Sequence, residues 1–435
     1  MRLTAHGTTL LDNEGRPVVL QGVNMYLEWY KTFYSASLSS GSSAFDVPHL
    51  RRSVPAANTV RFVGLLWKDS IMESDGLECY DGDASRGYLS AECVRYIDAL
   101  ITQATDAGLW VIIAARAKYA AGWGLGQPDV WGDPTLRAQM VAMWRWIAHR
   151  YKNVDRIAGY EIMSEPRNKG VSQSAVTQFM REGCEAVHSA DPRSLCVVGP
   201  RPYYKLWELS DEVLQPRGSN TLYTFDFFVP RHFVMSDSSR GGGRYPGTYS
   251  CKDVYDGWWG GKPGCHSSGA QISVDDSWLQ NALQTYAVGF AERNQVPVHC
   301  NQWGVKDEVL DSFGRQAYAQ AMLRIFAQHK MSSTYWIWRS YRKDGRDVDE
   351  PVWGFELAHN DGPHESLDST MLATLQQGFA LAARQNAGNA YPCAIDGVAR
   401  FGVAPSDSSV SAKALTLAQP SPVRKTSHPR ISSLL

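Results

Sequence analysis

Apolar residues along the chain fall into short continuous runs that alternate with longer stretches of helical period. The runs cover residues 18–24, 58–66, 109–115, 156–163, 195–199, 221–228, 296–301 and 334–339. Runs that are apolar on both faces suit strands of a parallel sheet covered on both sides. Between them, residues 90–107 place Val94, Ile97, Leu100, Ile101 and Ala104 on one face and stop at Gly108. Asp133-Pro134 opens another helix, running through Met140, Met143, Trp144 and Ile147 to Tyr151, and residues 174–190 and 314–330 follow the same design. Eight strand-helix units over this length predict an α/β fold closed into a (β/α)8 TIM barrel, in preference to an open doubly wound sheet. Residues 1–20 alternate apolar and polar around Asp12-Asn13-Glu14-Gly15, which predicts a hairpin capping the barrel floor.

Two stretches break this rhythm. Residues 235–275, with Gly241-Gly242-Gly243 and Trp258-Trp259-Gly260-Gly261, predict a long loop inserted after the sixth strand as part of a substrate wall. From residue 404 the chain turns to Ser, Pro, Ala and Lys without a sustained period, too little apolar surface to offset the ordering of the chain. The expected organisation is a barrel domain over residues 1–403 and a disordered tail over 404–435.

Composition narrows the function classes. The 435 residues carry 43 basic and 44 acidic side chains, a formal net charge of -1, with no basic block interleaved with aromatics. Nucleic acid is therefore not an expected partner. No run approaches a membrane span, and the N-terminus lacks a charged-then-apolar export signal. The absence of an Asn-x-Ser/Thr acceptor leans towards an intracellular location, although a secreted chain with its signal removed would look the same. A monomer is expected. Cys93, Cys184, Cys196 and Cys300 lie in strand or helix patterns and are expected as buried thiols, whereas Cys251 and Cys265 bracket the insertion and could close it as a disulfide. His232, His266 and His299 lack zinc-ligand spacing, and Gly241–Gly243 opens no helix, so neither metal nor cofactor is expected.

The candidate chemistry centres on Gly159-Tyr160-Glu161-Ile162-Met163-Ser164-Glu165-Pro166. Strand alternation puts Glu161, Met163 and Glu165 on one side and Tyr160, Ile162 and Ser164 on the other. Two carboxylates on one side of an apolar strand are costly unless paired or used. Pro166 ends the ladder and biases Glu165 to an extended backbone, so Glu165 is expected at the barrel rim, where such enzymes keep their chemistry. The seventh run leads into Asn301-Gln302-Trp303-Gly304. The 15 Trp and 20 Tyr exceed what a core needs, and flat aromatic faces suit the C–H faces of sugars.

The segment YEIMSEP resembles the acid/base strand of glycoside hydrolase family 5, the cellulase-like (β/α)8 glycosidases, whose usual ending is Asn-Glu-Pro. Ser164 stands where the Asn is usual. The resemblance spans about residues 5–400 and implies retaining hydrolysis of a β-linked glycan or glycoconjugate, of β-glucan or β-mannan type. It makes Glu165 the acid/base and asks for a carboxylate roughly 5 Å away on the seventh strand as nucleophile. The aligned position is Gln302. An amide is nearly isosteric with a carboxylate but is a poor nucleophile, so the covalent step should fall by several orders of magnitude. Two explanations stay open: an exchange of Glu for Gln in a competent site, or a chain that binds sugar without hydrolysing it.

The same resemblance marks Arg61 as the residue that orients the nucleophile, although pairing with Glu161 to hold the barrel is equally compatible. Tyr335-Trp336-Ile337-Trp338 places two Trp on one face like the sugar-stacking Trp of the family, with Trp338 favoured as the platform. Asn24, Trp29 and Trp67 fall where a sugar groove would extend, and Trp303 flanks position 302. Arg116 stands where the family usually has His, Asp226 and Phe228 where His and Tyr are common, and Ser164 is too short to reach a sugar 2-hydroxyl. These departures alter the ring-binding hydrogen bonds and imply a divergent subgroup with its own sugar.

Overall fold

The computed structural model describes residues 1–26, 47–67, 79–117, 130–166, 171–235, 242–255, 270–338, 354–361 and 364–386. The expected tail, Trp29, Cys265 and the Trp258-Trp259-Gly260-Gly261 tip lie outside the described residues. Eight parallel strands close a barrel in chain order: β1 (Gln21–Tyr26), β2 (Thr59–Trp67), β3 (Trp110–Ala117), β4 (Ile157–Glu161), β5 (Leu195–Val198), β6 (Thr221–Phe227), β7 (Val298–Trp303) and β8 (Ser332–Tyr335). Each lies on one of the apolar runs, with ends displaced by a few residues. The closest approach, between β1 and β2, requires a glycine: a Cβ on Gly22 would sit 1.8 Å from the Thr59 carbonyl oxygen.

Helices α1 (Val47–Ser53), α2 (Ala91–Asp106), α3 (Pro134–Tyr151), α4 (Gln173–Ala190), α5 (Asp276–Leu283), α6 (Arg315–Gln328) and α7 (Ser369–Asn386) accompany the strands. The starts of α2, α3 and α4 are set by side chains that satisfy orphan N–H groups. Ser90 accepts from the Cys93 N–H, Asp133 from those of Thr135 and Leu136 ahead of Pro134, and Ser172 from that of Ala175. Helix α3 then buries Leu136, Met140, Met143, Trp144 and Ile147 against the barrel, each such side chain contributing about 1.5–3 kcal/mol.

The floor is sealed by three short antiparallel strands, Thr4–His6, Thr9–Leu11 and Pro17–Val18, one more than the hairpin expected. Leu3, Leu10 and Leu20 pack there with Trp110, Ile112, Ala158, Leu195 and Leu222, at the starts of β3 to β6. The C-terminal ends of the strands are thereby left as the end at which a site can open. The insertion after β6 is more than a loop, since Gly247–Ser250 pairs antiparallel with Gln271–Val274 and a short helix, Cys251–Tyr255, follows the first of these. No helix among the described residues is long and apolar enough to cross a membrane.

The cysteine expectations need correction. Cys79 is bonded to Cys93 and Cys184 to Cys196, so of the four expected thiols only Cys300 is free. Cys251 is also disulfide-bonded. Sequence position placed these side chains in the core correctly, but it could not show that α4 lays Cys184 against Cys196 of β5 with 5.4 Å between their Cα atoms. Such bonds persist in oxidising compartments, which weighs against the intracellular lean. Replacing both Cys184 and Cys196 by Ala is expected to lower unfolding stability by about 3 kcal/mol, the value for a loop of this size, read as a lower urea midpoint. An unchanged midpoint would mean that the bond contributes nothing.

Candidate active site

Strand β4 ends at Glu161, and the residues after it are tied down one carbonyl at a time. Trp144 Nε1 on α3 donates to the Ile162 carbonyl at 3.0 Å, and the Tyr204 hydroxyl donates to that of Met163. The Ser164 N–H donates to Ala115 at 2.7 Å, and the Tyr203 N–H to Pro166 at 3.2 Å. Held on both sides, Glu165 adopts φ of 48°. The extended backbone expected from Pro166 is thus corrected: the flanking hydrogen bonds outweigh the local bias and hold a left-handed residue. Glu165 is half-buried at the C-terminal end of the barrel.

Alternation also stops at Glu161. Met163 joins the main hydrophobic core, while Glu161 and Ser164, three residues apart, meet the same guanidinium. The expectation that Glu161, Met163 and Glu165 share a face therefore fails, because the strand ends before Met163.

That guanidinium belongs to Arg61 on β2, which is fully buried. Its Nε and Nη2 donate to the two Glu161 oxygens at 2.7 and 2.8 Å, Nη1 to Asn24 Oδ1 at 2.7 Å and Nη2 also to Ser164 Oγ at 2.8 Å. Asn24 Nδ2 donates on to the carbonyls of Asn301, Thr334 and Tyr335, and Asn301 Nδ2 reaches Glu161 at 3.2 Å. Burial alone would depress the Arg61 pKa, but the charge and hydrogen bonds of Glu161 hold it above the ordinary value. The same burial, with Arg61 beside it, pushes His299 on β7 down to about 3, so that imidazole is neutral. Asn24, expected along the sugar groove, is instead an enclosed member of this network, and Ser164 is another.

Strand β7 carries a bulge that turns the candidate nucleophile position inward. Cys300 pairs with Phe225 and Gln302 with Asp226 of β6, leaving Asn301 as the extra residue. Cys300 and Trp303 both belong to the main core, three apart instead of two, while Asn301 bonds Glu161. Bulges re-aim side chains in this way next to active sites. Gln302 is 3 % exposed. Its register partner Asp226 is half-buried, and its side chain forms a hydrogen bond with Glu165. Burial first, then the charge of Glu165, drives the Asp226 pKa well above the ordinary carboxylate range, against the opposing pull of Arg61. The mouth thus brings Glu165 beside Asp226, with Gln302 as its neighbour on the next strand.

The aromatic expectations divide. Trp303 is fully buried, with Phe326 of α6 and Tyr335 of β8 at 5.4 and 5.2 Å between ring centroids, so it packs the core and offers no face to a ligand. Strand β8 ends at Tyr335, so the two following Trp do not share a face. Trp338 is fully buried in the main core with His49 at its edge, while Trp336 lies with Val63, Ala114 and Phe355 beside the partly open Phe228. Of the two, Trp336 is the one placed at the mouth, which corrects the preference for Trp338. Trp67 ends β2 and Arg116 is the last residue but one of β3, at the same end of the barrel. Sequence reasoning passed over Tyr204, Asn301 and His299. Pro200-Arg201-Pro202-Tyr203-Tyr204, directly after the fifth run, carried a signal for the first, since a turn there lies at the catalytic end of a barrel.

The sequence profile of the family Cellulase (glycosyl hydrolase family 5) matches residues 11–342. Endoglucanase E-5 of Thermobifida fusca is 25% identical over 240 residues, 52% of this chain and 42% of that protein. Endoglucanase B of Acetivibrio thermocellus is 22% identical over 275 residues, 60% of this chain and 44% of that protein. The chain therefore spans less than half the length of either relative. Among solved structures, endoglucanase Cel5A from the hyperthermophilic Thermotoga maritima gives a TM-score of 0.55 at 15% identity, covering 82% of this chain and 96% of that one. The β-glucanase SdGluc5_26A from Saccharophagus degradans gives 0.54 at 14% identity, covering 88% and 93%. At these identities the likeness to solved structures is one of fold.

Two outcomes follow for stability. Arg61→Met strands Glu161 as a buried unpaired charge and should cost about 3–5 kcal/mol in urea unfolding, whereas pairing it with Glu161→Leu should recover much of that loss. For Asp226, the folded pKa lies above the unfolded one. Between the two values the native state binds more protons, so stability falls as pH rises. Asp226→Asn should therefore raise Tm relative to wild type at pH 8, with the gain shrinking as pH falls and vanishing only below about pH 3, where the unfolded carboxyl is protonated as well. A gain independent of pH would contradict the raised pKa.

Proposed function

The chain belongs to glycosyl hydrolase family 5, and from that premise we propose that its barrel mouth binds a β-1,4-linked glucan or mannan chain as a retaining glycosidase would, with Glu165 as acid/base and position 302 as the nucleophile position. The observation carrying this reading is the inward bulge of β7, which delivers Gln302 beside Asp226 on β6, which is in turn hydrogen-bonded to Glu165. The substrate class draws on the family and on similar folds: Thermotoga maritima Cel5A has been solved with cellobiose and with mannotriose, and SdGluc5_26A with cellotetraose.

Retaining hydrolysis needs one group to protonate the leaving oxygen and a second to attack the anomeric carbon. We assign the first step to Glu165. The second falls to position 302, where the Gln amide carries no charge and does not make a stable glycosyl ester. In this chain the cleft is accordingly a sugar-binding site whose double displacement stalls at the covalent step.

The test is Gln302→Glu, assayed on aryl β-cellobiosides, carboxymethylcellulose and mannan, with cello- and manno-oligosaccharide binding followed by calorimetry. Wild type is expected to bind with little turnover, and Gln302→Glu to gain at least about 100-fold in kcat/KM. Binding without any gain in turnover would assign the chain to a purely sugar-binding role. Neither binding nor turnover on any of these glycans would remove the assignment of the cleft altogether.

A further inference from the structure

We propose that Tyr204 is a positioning residue for Glu165: with Tyr203 it forms a strap that fixes the segment of the acid/base against strand β6 and so sets its reach across the barrel mouth. The assignment of Glu165 as acid/base rests on the reading above, whereas the strap stands on geometry alone.

The strap grips the chain on both sides of Glu165. The Tyr204 hydroxyl donates to the carbonyl of Met163, two residues before it, and the Tyr203 N–H donates to that of Pro166, one residue after it, at 3.2 Å. The same tyrosine grips β6: its carbonyl accepts the Asp226 N–H at 2.7 Å, and Lys205 pairs with Asp226 as a parallel bridge. Asp226 is in turn the register partner of Gln302 on β7. One side chain and one peptide group thus join the segment of Glu165 to the ladder that carries position 302.

The backbone on both sides of this contact is unusual. Glu165, Tyr203 and Tyr204 adopt φ of 48°, 57° and 52°. They are three of the seven non-glycine residues with positive φ among the described residues, and the hydrogen bonds above bring them to one place. A bulky left-handed residue persists only where its surroundings over-determine it, and such residues gather where geometry serves function. Tyr204 is fully buried, its N–H donates to the Pro200 carbonyl at 3.0 Å, and its ring lies on Gly199 directly after β5. A Cβ on Gly199 would sit 2.6 Å from the ring Cδ1 and 2.6 Å from the Thr224 carbonyl oxygen, so the seat admits no side chain there. Packing accounts for the ring, since Phe would fill the same space, but not for the hydroxyl. Burial first, then the charge of Glu161, raises the Tyr204 pKa well above its ordinary value, so the hydroxyl stays a donor. Without it the Met163 carbonyl loses this partner, and Glu165 can relax towards the extended backbone that Pro166 favours. A general acid displaced by about 1 Å from the leaving oxygen loses on the order of 100-fold in rate.

Leaving groups of different basicity test the positioning role in the Gln302→Glu background. Tyr204→Phe should lower kcat/KM for phenyl β-cellobioside by about 10-fold or more, because phenol needs a proton to depart, and should hardly change it for dinitrophenyl β-cellobioside, whose leaving group departs as the anion. Gly199→Ala, which unseats the ring, should repeat that pattern. An equal loss on both substrates, as a merely structural tyrosine would give, or no loss on either, overturns the positioning role. A second measurement needs no catalysis. In the otherwise unchanged chain, Tyr204→Phe should speed hydrogen exchange of residues 162–165 by about 10-fold relative to helices α3 and α4. Exchange that rises equally in those helices, or not at all, overturns the strap. Selective exchange without turnover by Gln302→Glu upholds the strap and counts against the hydrolytic reading alone.

Discussion

The barrel mouth depends on one ion pair. Arg61 and Glu161 are both withdrawn completely from water, a step that costs several kcal/mol per charge before any attraction is counted. The cost is offset because every strong donor is matched. The guanidinium meets Glu161 as a fork, and its remaining contacts reach Asn24 on β1 and Ser164 after β4. Asn24 carries the network to β7 and β8 through three carbonyls, and Asn301 returns it to Glu161. One cation thus ties together five of the eight strands just beneath the site. A network this complete has a single low-energy arrangement, which gives the residues above it fixed positions.

Much of the architecture was legible because a parallel barrel writes itself as unbroken apolar runs, and the helix starts were legible because Ser90 and Asp133 are where capping chemistry requires them. The motif strand was legible as well, and the pairing of Arg61 with Glu161 followed from the need of a buried cation for an acid. What could not be read were the departures from strict period. A one-residue bulge at Asn301 reverses every side chain beyond it, and nothing in His299-Cys300-Asn301-Gln302 announces it. Glu165 is left-handed because Tyr203 and Tyr204, some forty residues away, hold its neighbours. Trp338 looked like a platform because alternation was carried past the end of β8, and it faces the core. Pairing among the cysteines is likewise a tertiary fact.

Two of the departures from the family pattern meet in space. The amide at 302 and the carboxyl at 226 are register partners on neighbouring strands. Considered one at a time, Gln302 removes a negative charge and Asp226 introduces one. Considered as a pair, they leave the number of acids at the mouth unchanged and shift the second acid one strand over, to a place where it touches Glu165 directly.

That shift has an electrostatic consequence independent of any substrate. Burial first, then the charge of Glu165, holds the Asp226 pKa well above the ordinary carboxylate range against the pull of Arg61, so the acid opposite position 302 is biased towards its neutral form. The amide at 302 carries no charge at any pH, and Asp226 resists ionisation, so both members of this register pair disfavour negative charge on the same ladder step. A carboxylate at 302 would face Asp226 across that ladder step and would make ionising Asp226 costlier still. The chemistry available at position 302 is therefore tied to the protonation of the residue opposite it on β6.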